Sequence, residues 1–202
     1  MFTLVKKYVF KPDDDACCLT ASYGYSEDFS WTLQLQSQSH LTSFPNEAVE
    51  VLFGMQVHPL VGRVSWYELI GKSVEMDRQE CGFRFDCDMS SHWEDIIALR
   101  LRFGQIRGAQ LEVFAEGRAS VEAAPDIFPD GEVEFHIHAW AKFSGVAIHV
   151  PLNAADPIDY ATAKIKTILP RYAFVAPVLR RTSDDKGLVR AVEVLFKPKS
   201  DL

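Results

Sequence analysis

Cysteine is scarce in this chain, and what there is has no useful spacing. Only Cys17, Cys18, Cys81 and Cys87 occur in 202 residues. No two stand as C-x-x-C, which excludes a zinc ribbon and a thioredoxin-type redox centre. The expectation is inert or buried thiols in a cytoplasmic protein, with a Cys81–Cys87 bridge across a hairpin as the minor alternative. Long apolar runs are missing too. Nothing approaches the roughly 18 uncharged apolar residues of a membrane span. Lys6 and Lys7 interrupt the opening MFTLVKKYVF, where a secretory signal needs an unbroken apolar stretch. These absences predict no membrane partner and a cytoplasmic location.

Signatures of nucleotide binding and hydrolysis are also lacking. There is no G-x-G-x-x-G, no G-x-S-x-G and no H-E-x-x-H. Ile70-Gly71-Lys72-Ser73 has the ending of a phosphate-binding loop, but Trp66 stands where its first glycine belongs. The acidic clusters Asp13-Asp14-Asp15 and Asp86-Cys87-Asp88 lack the glycine and distal glutamate of a calcium loop. Positive charge is short in most of the chain. Residues 1–163 hold 12 Lys and Arg against 24 Asp and Glu, residues 164–202 hold 9 against 4, and the net charge is −7. An acidic body repels phosphate backbones, which excludes broad nucleic-acid binding. The partner it suits is another protein, of basic character, because an acidic face speeds encounter with one.

Apolar residues, by contrast, make up 48% of the chain, enough to bury a sizeable core. Their dominant period is two. FSWTLQLQ (29–36) puts Phe29, Trp31, Leu33 and Leu35 on one face and polar residues on the other, as a half-buried strand requires. Residues 2–10, 48–57, 60–69, 82–88, 97–103 and 110–122 read as further strands. His58-Pro59 reads as a turn, because proline removes a ladder donor. GQIRG (104–108) reads as a second turn and AAPDIFPDG (123–131) as a loop. Ser91 and Glu94 have the spacing of a capping box, but the alternation from Ile97 to Phe103 favours a turn followed by a strand. One helix is clear. Asp156 is its N-cap, Pro157 its first residue and Pro170 its stop. A last hairpin joins 171–182 to 187–198. With no linker, repeat or βαβ alternation, residues 1–202 read as one globular domain. Its class is mainly β, a β-rich α+β fold: an antiparallel sandwich or open barrel of roughly ten strands, with the helix at about 157–169 packed on it.

The most suggestive stretch is VEFHIHAW (133–140). Val133, Phe135, Ile137, Ala139 and Ala141 belong to the core, so Glu132, Glu134, His136, His138 and Trp140 share the opposite face. If Lys142–Gly145 is a tight loop, Val146, Ile148 and Val150 fall opposite Ala141, Ala139 and Ile137, and His149 falls opposite His138. That register gathers His136, His138 and His149 with Glu134 at the edge, a donor set suited to zinc, iron or nickel. Without a metal, the same face is a binding surface carried by Trp140, Glu132 and Glu134.

Two functions follow. The first is a small acidic cytoplasmic protein that binds another protein without catalysis, in the manner of immunity or inhibitor proteins, and with no cofactor. The alternative is a metal-binding protein or metalloenzyme using the histidine patch. No catalytic residue set selects itself, so the sequence leans away from an enzyme.

Overall fold

The computed structural model describes residues 1–4, 8–24, 29–38, 40–44, 47–51, 53–60, 66–77, 84–87, 92–120, 130–169, 174–183 and 189–199. In chain order the strands are β1 (Phe2–Leu4), β2 (Tyr8–Phe10), β3 (Cys18–Tyr23), β4 (Phe29–Gln36), β5 (His40–Phe44), β6 (Glu47–Val51), β7 (Phe53–Leu60), β8 (Ser73–Asp77), β9 (Arg84–Cys87), β10 (His92–Arg107), β11 (Gln110–Ser120) and β12 (Glu132–Val150). The helix α1 (Pro157–Ile168) follows, then β13 (Val178–Ser183) and β14 (Val189–Phe196). This is a β-rich α+β fold. Twelve strands form one large mixed sheet, while β5 and β6 pair as a separate ribbon. Every pairing is antiparallel except that of β3 with β12.

Strand β12 organises the sheet. Lys142 is the register partner of both Gln110 on β11 and Cys18 on β3, so those two strands lie on its opposite sides. Along its first half β12 is flanked by β11 and β1, and along its second half by β14 and β3. From β3 the order continues through β4, β7 and β9 to β10, which also pairs with β11 and β8. Among the described residues, β2, β8 and β13 each pair with a single neighbour and form edges.

Alternation decides what is buried. Phe29, Trp31, Leu33 and Leu35 of β4, Leu19 and Ala21 of β3, Val113 of β11, and Phe135 and Ile137 of β12 all enter one core. Trp31 is fully enclosed, with Phe29 edge-on at 5.5 Å and Phe143 tilted at 5.7 Å. Gly117 of β11 faces this core opposite Phe135, and a β-carbon there would overlap the Phe135 ring and the Ala98 carbonyl. The ring fills the space the glycine leaves, and the adjacent bulge falls on β10 between Ile96 and Ala98 rather than on β11. Helix α1 begins as expected, with the Asp156 carboxylate accepting from the amides of Ile158 and Asp159 at 2.8 and 3.0 Å. It packs on β12 and β14 and adds Ala161 and Ile165 to the core. It therefore lies on the core side and does not cover the outer face that carries His136 and His138.

Several expectations are corrected. The predicted loop at Lys142–Gly145 is not a loop: β12 runs straight on to Val150. Gly145, at φ +122°, makes a bulge at which the buried set changes from odd to even positions without the chain turning back. A bulge and a tight hairpin produce the same shift of phase in a sequence. His58-Pro59 is likewise no turn. It lies inside β7, in a bulge where Leu60 and Val57 face Trp31 and Leu33, so that the missing proline N–H costs no ladder bond. The stretch expected as a strand at 60–69 ends in a 3-10 turn at Trp66–Leu69. Strand β10 extends to Arg107, and the hairpin turn is the pair Gly108-Ala109, with Gly108 at φ +59°. His92–Asp95 pair with β9, so Glu94 caps no helix. Cys81, and with it the Cys81–Cys87 bridge, lies outside the described residues, as do Ser91, Asp88 and most of the loop at 123–131.

Candidate functional site on the outer sheet face

Strands β8, β10, β11, β12, β1 and β2 are consecutive antiparallel neighbours. Their alternate residues point away from the core and line up in rows across the sheet, because paired residues share a face. One row reads Glu75, Arg100, Glu116, His136, Thr3, Val9. Its charges alternate. Arg100 Nε donates to Glu75 at 2.8 Å, and its Nη1 reaches Glu116 at 3.4 Å. The hydrogen bond and charge of Glu75, with a smaller part from Glu116, hold the guanidinium pKa above its ordinary value. His136 Nδ1 lies 3.8 Å from the other Glu116 oxygen.

The next row reads Ser73, Arg102, Phe114, His138. Here the side chains stack. The guanidinium of Arg102 lies over the Phe114 ring from the β10 side, 4.3 Å from its centroid. From the β12 side the His138 imidazole lies parallel to the same ring, at 4.4 Å and 9°. His138 Nε2 donates to Glu112 at 2.8 Å, since a carboxylate can only accept. The second Glu112 oxygen accepts the Gln105 amide at 3.2 Å, in the β10 bulge. Glu112 is thereby drawn in, at 17% side-chain exposure against 46% for His138. Two open depressions of about 600 and 580 Å³ flank these rows and share Glu75, Arg100, Glu116 and His136.

The expected site residues divide. His136 and His138 do share an exposed face, with Glu134 beside them in the wall of the larger depression. Glu132 is paired instead with Arg118 at 3.2 Å. Trp140 is half-buried, opposite Glu112 in register. His149 is the correction. It stands eleven residues beyond His138 on the same strand, on the order of 35 Å away at strand rise, and its Nδ1 lies 3.4 Å from Glu193 of β14. The gathering of three imidazoles fails with the hairpin that was to make it. Among the described residues, no three His, Cys, Asp or Glu side chains are grouped to hold a metal ion.

Arg100, Arg102, Glu112, Phe114 and Glu116 were not expected at this site. Each stood on the wet phase of its own alternation, but only the β10–β11 and β11–β12 registers together bring them beside the histidines. No family model, no curated protein and no solved structure matches the chain. No helix among the described residues is long and apolar enough to cross a membrane.

Proposed function

We propose that the protein recognises another protein through the outer face of β8, β10, β11 and β12, without catalysis. The observation that carries this reading is the Arg102–Phe114–His138 stack, held on paired strands and open to solvent. Arginine and aromatic side chains are the types enriched where proteins bind proteins. Here they are held in place, so little side-chain freedom remains to be lost on binding. The alternating charges of the neighbouring row fix the orientation of what docks. The net charge of −7 favours a partner of basic overall character and steers its approach. That profile suits an immunity- or inhibitor-type role. A cytoplasmic setting is supported by the adjacent free thiols of Cys17 and Cys18. The metal-centred alternative draws no support from the separated histidines.

The test compares wild type with a Phe114→Ser, His138→Ala double variant and with Lys166→Ala on α1, each checked for folding by circular dichroism. Proteins co-purifying with wild type are identified, and their affinities are then measured calorimetrically against all three forms. The face variant is expected to bind at least roughly 30-fold more weakly, as for the loss of an interface hot spot. Lys166→Ala is expected to bind as wild type does. Equal binding by the face variant would overturn the reading.

A further inference from the structure

Three guanidiniums beside the two rows have different company, while a fourth, Arg107, lies further along the same face at the hairpin end, opposite Gln110. Arg100 lies between Glu75 and Glu116, and Arg118 is paired with Glu132. Arg102 has no carboxylate partner among the described residues. Among the described residues it lies against the Phe114 ring. A cation on an aromatic face keeps its charge and most of its hydrogen-bond donors, and the ring limits the positions it can take. Its register neighbour on the far side is Ser73, a small residue on the exposed edge strand β8. The stack therefore ends beside Ser73, and Ser73, Arg102 and Phe114 together line one notch, the open depression of about 580 Å³.

We infer that this notch is a receptor for one carboxylate: an Asp or Glu side chain of the protein partner, received by the Arg102 guanidinium beside the Ser73 hydroxyl. The inference rests on the recognition role proposed above and names the chemistry of its anchor. Charge selects the ligand. One unmatched guanidinium is neutralised by one carboxylate, in the planar two-point geometry that favours arginine over lysine. A phosphate dianion would bring a second negative charge up to Glu75 and Glu116, in the wall of the same depression. Those two glutamates instead favour cations on either side of the incoming carboxylate. The matching element is an acidic residue set among basic ones, which also fits a partner of basic overall character.

The experiment uses the isotopically labelled full chain and three pentapeptides: acetyl-Gly-Lys-Asp-Lys-Gly-amide, the same with Asn for Asp, and the same with phosphoserine for Asp. The arginine Nε–H resonances are followed by NMR during titration. The Asp peptide is expected to shift Arg102 saturably, with Arg100 and Arg118 moving little. The Asn peptide is expected to bind at least about tenfold more weakly, the size of a lost charge-assisted hydrogen bond. Arg102→Gln, an exposed change that removes the charge, is expected to remove the preference for Asp over Asn. Equal binding of the Asp and Asn peptides, equal shifts at all three arginines, or tighter binding of the phosphoserine peptide would each overturn the inference. If the peptides fail while the Phe114→Ser, His138→Ala variant still loses the partner, recognition by the face stands and only the role of Arg102 falls.

Discussion

Cys17 sits with its thiol against the Gln36 backbone, donating to the carbonyl at 3.3 Å and accepting the amide at 3.4 Å. Burial disfavours the thiolate and pushes the Cys17 pKa up to about 11 from 9.0, the Gln36 contact opposing it. The consequence for stability has a definite sign. Below pH 9 the thiol is protonated in folded and unfolded chains alike. Between pH 9 and about 11 the unfolded chain loses that proton and the folded chain keeps it, so stability falls as pH rises. We expect a loss on the order of 2 kcal/mol across that window in urea unfolding midpoints, and a Cys17→Ala variant that lacks this component. A flat wild-type profile would contradict it. Inert or buried thiols were legible from the absence of any paired spacing, and Cys17 is buried. Which of the adjacent Cys17 and Cys18 faces inward was not, because only the strand phase that buries Leu19 and Ala21 decides it.

At the scale of elements, Gly145 does what a turn was expected to do. Its φ of +122° suits glycine alone, and a β-carbon there would overlap the Phe196 carbonyl on β14. Gly145→Val should strain that bulge and loosen β14 from the second half of β12. Hydrogen exchange would show it: protection of the amides at Val146–Val150 should fall about tenfold or more, while Val133–Ala141, held by β11, keep theirs. Uniform loss along the whole strand would refute a local role. The same bulge explains how far the sequence could be read. Alternation identified β4, β11 and both halves of β12, and the capping and proline signals identified the helix with its Asp156 cap, since each of these is set by local pattern. It also placed Glu134, His136, His138 and Trp140 together on the non-core side. It could not separate a bulge from a hairpin, because both shift the buried phase by one. That single ambiguity joined His149 to His138 wrongly and hid Glu112 and Glu116, whose strand was the true neighbour. His58-Pro59 misled for a related reason: a proline inside a bulge has no ladder bond to lose.

For the molecule as a whole, one core takes residues from nearly every described strand of the large sheet, and Trp31 stands at 0% exposure within it. Trp31→Ala should cost about 3–5 kcal/mol of unfolding free energy, read from chemical denaturation, and a change under 1 kcal/mol would mean that the enclosure is not tight. The way β12 joins the sheet has a further consequence, for how the protein is made. The first strand finds its partner 137 positions away, where Met1 meets His138. The third strand docks on the same spine beyond Lys142. Until the spine emerges from the ribosome, the early strands have their hairpin partners but not the strand that unites them, and their apolar faces stay in water. Contacts so distant in sequence close slowly. Assembly of the sheet therefore waits for residues 132–150, and a chain stalled before residue 132 carries exposed edges prone to misassembly.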